Sequence, residues 1–353
     1  MKKIYFAGGC FWGLEAYFRR MPWIEFTQAG YANGKDGEVP VYKTLQQTGH
    51  AETVEVVYDE DALALQTLVR RFFEVIDPLS FNRQGPDTGT QYRTAVYYVP
   101  GESAEYNTTI AAVKKVFEET AKTLGVEELA TVLEPLRNWF PAEEYHQNYV
   151  QKIPGAYCHI PLKNMQRPWS LIDKERYPRP SPEELRKKLQ PLEFDVVENA
   201  ATELAGTGEL EHFFEKGIYV DKATGEPLFV SAQKYHSGCG WPAFSKPIEE
   251  GVIEQLEDLS IPGRPRIEVR SSSGSHLGHV FKDGPVPEGR AALDPSADPN
   301  HRPSQPEGNG HELPKEPTGL RYCINSAALR FIAFHKMEDE GYGYLKGLTE
   351  SLL

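Results

Sequence analysis

The chain has 353 residues, enough for two domains that each bury a core without a disulfide or metal staple. Its 38 basic and 51 acidic side chains leave a net charge of −13, which argues against general nucleic-acid binding and against anionic membranes. No apolar run approaches the roughly 20 residues that span a bilayer, and the four cysteines, at 10, 158, 239 and 323, are too few and too scattered for a secreted disulfide scaffold.

The first half alternates strand and helix signals. Lys3 to Ala7 predicts a short strand ahead of Gly8-Gly9. Those glycines, with Glu15 beyond them, break the run where a secretion signal would continue, so the N-terminus reads as structure and the chain as cytoplasmic. Leu14, Tyr17, Phe18 and Met21 recur at helical spacing after Phe11. Thr53 to Tyr58 reads as a strand. Leu65, Leu68, Val69, Phe72, Phe73 and Ile76 form a helical stripe that Asp77-Pro78 stops. Tyr92 to Val99 is a second clear strand, and Ile110, Val113, Phe117 and Leu124 mark a helix ending at Gly125. Together these predict an α+β domain, an α/β sandwich, over residues 1–160.

Residues 161–194 read as a linker, with six prolines between 161 and 191 and a short helix opened by Ser181-Pro182-Glu183-Glu184. Beyond it, Ile267 to Arg270, His279 to Phe281 and Arg330 to Phe334 are short β-rich runs between turn signals, so 195–353 is predicted to be mostly β. An insertion at 284–319 holds eight prolines and five glycines and few large apolar residues, the composition of an exposed, mobile loop. No internal repeat relates the halves.

Each half carries two cysteines, a first hint of two thiol pairs. Cys10 follows a strand and two glycines and opens an amphipathic helix, whose unpaired N–H groups lower a thiol's pKa. A buried inert thiol is as common an outcome, and position alone leaves both readings open.

The surrounding stretches settle the choice. Gly8-Gly9-Cys10-Phe11-Trp12-Gly13, Val41-Tyr42, Thr48-Gly49-His50-Ala51-Glu52, the run from Asn82 to Arg93 and Tyr145-His146-Gln147-Asn148-Tyr149 occur in an order that resembles the A-type peptide methionine sulfoxide reductases. That resemblance implies Cys10 as nucleophile and a methyl pocket lined by Phe11 and Trp12. It implies Glu52 as proton donor, its pKa raised by burial, assisted by Tyr42 and Tyr92, with Asp87 orienting the substrate or the incoming thiol. Cys158, the other cysteine of this half, is then the thiol that resolves oxidised Cys10 before it over-oxidises.

Ser237-Gly238-Cys239-Gly240-Trp241-Pro242, His276-Leu277-Gly278-His279-Val280-Phe281 and Arg321-Tyr322-Cys323-Ile324-Asn325-Ser326 resemble the B-type reductases. By that resemblance Cys323 is a second nucleophile favoured as thiolate by Arg321, and Cys239 resolves it. His276, His279 and Asn325 hold and protonate the sulfoxide oxygen, and Trp241 packs on the methyl group. Many B-type domains bind zinc through two C-x-x-C pairs. The matching places here, near Asp221, Thr224, Ser271 and Gly274, carry no cysteine, so no metal is expected.

The resemblance as a whole implies a two-site enzyme, one site per sulfoxide epimer, with thioredoxin as external reductant, oxidised proteins or free methionine sulfoxide as substrate and no bound cofactor. Two other readings compete. A thiol–disulfide oxidoreductase would ordinarily carry adjacent redox cysteines, and a zinc-binding module would use Cys239, Cys323 and the two histidines.

Overall fold

The structure, a computed structural model, describes residues 2–101, 104–153, 155–156, 158, 160–165, 169–286 and 313–351. Most of the Pro/Gly-rich insertion, 287–312, lies outside the described residues. The chain divides into two compact units, Met1–Leu171 and Ile172–Leu353. Among the described residues no helix is long and apolar enough to cross a membrane.

The first unit runs β1 (Lys2–Gly8), α1 (Phe11–Phe18), β2 (Ile24–Ala32), β3 (Ala51–Tyr58), α2 (Leu65–Phe73), β4 (Thr94–Tyr98), α3 (Ala104–Leu124), β5 (Val132–Pro135) and β6 (Trp139–Pro141). The sheet order is β5-β4-β1-β3-β2-β6. Only the β4–β5 pairing is parallel. β1 lies inside the sheet with Ile4 to Gly8 all buried, which is why its sequence is a continuous apolar run instead of an alternation. One face packs Phe6 against Phe18 and Phe72 of the flanking helices, and the other packs Tyr5, Ala7 and Tyr97 with Trp139. The helical stripe resolves into α2, with Leu65, Leu68, Val69 and Phe72 buried.

At the end of β1 the two glycines have different jobs. A Cβ on Gly8 would sit 2.7 Å from a ring carbon of Phe72, so the strand approaches the helix layer too closely for any side chain. Gly9 has φ +80, a left-handed turn that delivers Cys10 to the start of α1.

The second unit runs α4 (Pro182–Lys188), α5 (Pro191–Asn199), β7 (Gly217–Asp221), β8 (Pro227–Val230), β9 (Lys234–Tyr235), β10 (Ala243–Phe244), β11 (Ile253–Asp258), β12 (Arg266–Ser271), β13 (His276–Phe281), β14 (Arg321–Ile324) and β15 (Leu329–Ala333). A three-stranded sheet, β8-β7-β15, and a six-stranded sheet, β9-β10-β14-β13-β12-β11, enclose a core that includes Ile218, Val220, Phe229, Phe244, Leu277 and Ile324. Every pairing in both sheets is antiparallel, as the mostly-β reading requires. The helix expected at Ser181 is α4. Ser181 and Glu184 form a reciprocal capping box, and Leu185 enters this unit's core.

Register in the larger sheet places the candidate residues. Cys323 on β14 lies opposite His279 on β13 and opposite Ala243 on β10. Gly278 lets β13 approach, since a Cβ there would meet the Cys323 carbonyl oxygen at 2.1 Å.

Candidate active sites

Cys10 is the residue from which α1 springs, and it is buried. Burial and the charge of Glu52 push its thiol up, while the Trp12 and Gly13 amides at the helix start pull it down. The net direction is upward. The helix end is present, as its position in the sequence suggested, but one turn of amides is outweighed by removal from water.

Glu52 enters from β3 and is 1% exposed. Its Oε2 accepts the Phe11 N–H at 3.1 Å. Burial pushes its pKa up to about 8, against that hydrogen bond and with Asp87 adding a like charge nearby. Burial therefore favours the neutral acid form of Glu52, and in that form it no longer opposes ionisation of Cys10. Asp87 sits on a small hairpin in which Gln84 pairs with Asp87 and Arg83 with Thr88. The Tyr42 and Tyr92 side chains influence one another's ionisation, and burial holds both phenols up as proton donors. Tyr42, Tyr92, Glu52 and Gln91 line a cavity of about 330 Å³.

Phe11 is buried, Trp12 is half-buried, and their ring centroids are 6.4 Å apart. Trp12 is fixed from two sides. Its Nε1 donates to His146 Nδ1 at 3.0 Å, and Tyr149 stacks on it at 3.7 Å with planes 12° apart. Cys158 is half-buried against the same core, with its sulfur 3.6 Å from the Ile160 carbonyl oxygen. It is a free thiol and makes no bond to Cys10.

In the second unit the thiols meet. Cys239 Sγ and Cys323 Sγ are 3.3 Å apart, both unoxidised. Ser237 Oγ donates to Cys239 Sγ at 2.9 Å. The hydrogen bond from Cys323 pulls Cys239 down to about 5, helped by Ser237 and against burial. The same hydrogen bond and burial push Cys323 up, with Arg321 pulling against them. Arg321 spends its fork on Asp283 at 2.8 and 2.9 Å and lies over the Phe281 ring. Its effect on Cys323 has the expected sign but does not decide where the shared proton rests.

Each histidine has a carboxylate partner. His276 Nδ1 is 2.6 Å from Glu268, and His279 Nε2 is 2.8 Å from Asp258. Burial lowers His276 and Glu268 raises it back in part. Asn325 is buried, with Nδ2 donating to the Leu277 carbonyl at 2.9 Å and Oδ1 accepting the Glu203 N–H at 3.0 Å. The Trp241 indole donates to the Glu203 carbonyl at 3.2 Å. At the positions matching other domains' zinc cysteines the structure has oxygen groups bonded to each other. Ser273 Oγ donates to Asp221 at 3.2 Å and lies 2.9 Å from Ser271 Oγ. That donor set does not fit a thiolate-bound zinc.

Comparison with known proteins gives two consecutive matches. Residues 2–175 match the family model "Peptide methionine sulfoxide reductase", and residues 189–293 match "SelR domain". The chain belongs to the peptide methionine sulfoxide reductases. It is a fusion of two such domains, A-type first and B-type second, and both act as oxidoreductases on methionine sulfoxide. Among solved structures it is similar to reduced Mxr1 from Saccharomyces cerevisiae, with 36% identity over 44% of this chain and 88% of that one and a TM-score of 0.41. Methionine sulfoxide reductase A of Corynebacterium diphtheriae matches at 33% identity, covering 45% and 82%, with a TM-score of 0.39. Mxr1 in complex with Trx2 matches at 26% identity, covering 42% and 84%, with a TM-score of 0.28.

Several supporting residues of this reductase escape sequence reasoning. The stretch from Tyr145 to Tyr149 carried the resemblance without a role, yet His146 and Tyr149 hold Trp12 in place. Glu15, on the buried face of α1, accepts the Asn148 N–H at 2.8 Å and pins that stretch. A buried glutamate on an amphipathic helix was the available signal. Glu268 and Asp258 gave none, because cross-strand register brings them to the histidines.

Proposed function

We propose that the first site reduces the S epimer of methionine sulfoxide and the second the R epimer, by one shared sequence of steps. The A-type domain is taken as residues 1–160, the linker as 161–194 and the B-type domain as 195–353. At the first site the Cys10 thiolate attacks the sulfoxide sulfur, and Glu52 gives its proton to the departing oxygen, with Tyr42 and Tyr92 donating hydrogen bonds to it. Phe11 and Trp12 cage the methyl group, and Asp87 orients the reactants. The protonated oxygen then passes from the substrate sulfur to the Cys10 sulfur as the transient sulfur–sulfur bond breaks, so the sulfide leaves with that electron pair and Cys10 is left as a sulfenic acid. Cys158 then attacks Cys10 sulfur, water departs, and a disulfide forms. At the second site Cys323 takes the part of Cys10 and Cys239 that of Cys158. His276, His279 and Asn325 attend the oxygen, Trp241 the methyl group, and Arg321 favours charge on the nucleophile. A dithiol exchanges with each disulfide and restores both thiols. The family resemblance points to thioredoxin, and the sparse, scattered cysteines suit the cytoplasm. No step calls on a bound cofactor.

The observation that carries this reading is the buried Glu52, whose carboxyl accepts the first amide after Cys10 and is pushed up by burial. Thiol–disulfide exchange needs no acid beside its nucleophile, whereas a sulfoxide oxygen cannot leave without a proton. The reading is tested with Cys158→Ser. Its S-epimer reaction is expected to stop after one equivalent per chain, leaving a sulfenic acid on Cys10, while thioredoxin-driven R-epimer turnover continues at the parent rate. Undiminished S-epimer turnover with thioredoxin would mean that Cys10 is recycled by some other thiol.

A further inference from the structure

Glu203 lies in the loop after α5, with 5% of its surface exposed, and sequence reasoning gave it no role. Four of its polar atoms are engaged, all on segments that carry the second site. Its carboxylate accepts the Ser326 N–H at 2.5 Å and the Ala327 N–H at 3.0 Å, the first amides of the turn just after Cys323-Ile324-Asn325. Its own N–H donates to Asn325 Oδ1 at 3.0 Å. Its carbonyl accepts the Trp241 indole N–H at 3.2 Å. The same loop makes two more ties. Gly206 N–H donates to the Gly240 carbonyl at 2.8 Å, and Leu210 N–H donates to Ser326 Oγ at 3.3 Å. Gly208 lies so near that a Cβ there would meet Ser326 Oγ at 2.2 Å.

We infer that Glu203 is a positioning residue of the second site, fixing the nucleophile's turn and the Trp241 ring in one geometry and so setting the fit of the sulfoxide methyl group. Cys323 and Trp241 belong to segments more than 80 residues apart in sequence, joined by the β10–β14 ladder at Ala243 and Phe244. That ladder orients the backbones but not the indole, whose N–H is held by the Glu203 carbonyl. The carboxylate in turn holds Glu203 in place. A buried carboxylate with two amide donors is a stiff anchor, because either N–H left unpaired costs its full desolvation. A glutamine in its place would supply one acceptor oxygen and turn an N–H₂ group towards the other amide, so the anchor would loosen without losing volume.

The inference rests on the R-epimer assignment, and its test is a ratio that this assignment alone does not predict. R-epimer methionine sulfoxide and R-epimer ethionine sulfoxide, each as the blocked amino acid, are compared by kcat/KM in the parent chain, Glu203→Gln and Glu203→Ala. The S-epimer rate of each preparation reports intact protein. One methylene in a well-formed apolar pocket is worth about tenfold or more in discrimination. A held Trp241 predicts that the methyl-over-ethyl preference narrows by about threefold or more in Glu203→Gln and further in Glu203→Ala, while R-epimer turnover remains measurable. An unchanged preference in both variants, whatever the absolute rates, overturns the inference, since general destabilisation lowers both substrates in proportion. Complete loss of R-epimer activity in both also overturns it and makes Glu203 a folding residue. A parent chain inactive on the R epimer would instead refute the assignment of the site.

Discussion

Cys10→Ser is expected to abolish reduction of the S epimer and leave the R epimer untouched, and Cys323→Ser is expected to do the reverse. A serine hydroxyl is not ionised at neutral pH, and no oxygen–oxygen analogue of the sulfenic acid step is available, so the loss at each site should reach the detection limit. The selectivity follows from placement. Cys10, Glu52, Tyr42 and Tyr92 all belong to the unit ending at Leu171, and Cys239, Cys323 and both histidines belong to the unit beginning at Ile172. Initial rates on the two separated epimers of a blocked methionine sulfoxide check this. Loss of both activities from either single change, in protein that keeps its circular dichroism, would show one shared centre.

Glu52→Gln should lower S-epimer reduction by about 10²–10⁴-fold, the usual contribution of a positioned general acid. Glutamine is close to isosteric and its amide oxygen can still accept the Phe11 N–H, so the substitution removes the proton and little else. The pH dependence has a definite sign. Burial raises Glu52 to about 8, so the acid form dominates below that pH and is lost above it. Ionisation also adds the charge that pushes Cys10 up. Cys10 is pushed above Glu52, so thiolate still gained with rising pH is offset by acid form lost, and the single-turnover S-epimer rate should stop rising as pH climbs through about 8. Glu52→Gln should lack that break and go on rising. A parent rate still rising at pH 9 would mean that the thiol alone limits the step and that Glu52 is not its acid.

The first site was legible in the sequence to an unusual depth because its pieces are local. The Gly8-Gly9 turn, the helix opening at Cys10 and the strand carrying Glu52 each follow from a few neighbouring residues. What was not legible depends on distance. Nothing in the sequence places Cys239 3.3 Å from Cys323, because a strand register joins segments 84 residues apart. The same holds for Glu268 at His276, Asp258 at His279 and Glu203 at Trp241. Among elements, β2 gave no strand signal. Its residues, Ile24 to Ala32, include Gln28 and Gly30 and bury the C-terminal half on both faces, which removes the alternation. Position alone misjudges thiol acidity because a helix end is visible in sequence and burial is not. Cys10 is pushed up by desolvation in spite of the amides beside it, and Cys323 by its hydrogen bond with Cys239 and then by desolvation in spite of the guanidinium.

The two sites also differ in how far they are prepared for their second step. A disulfide needs sulfurs about 2.05 Å apart. Cys239 and Cys323 need only a small adjustment from 3.3 Å, whereas Cys158 is bonded to the Ile160 carbonyl and has to leave it. Resolution at the second site is therefore expected to be the faster of the two.

The most direct test of two independent thiol pairs is a map of the disulfides formed when the reduced, unmodified chain meets one equivalent of each epimer without reductant. Alkylation, digestion and mass spectrometry should find Cys10 joined to Cys158 after the S epimer and Cys239 joined to Cys323 after the R epimer. The same pair oxidised by both epimers, or a disulfide crossing between the two units, would contradict the account.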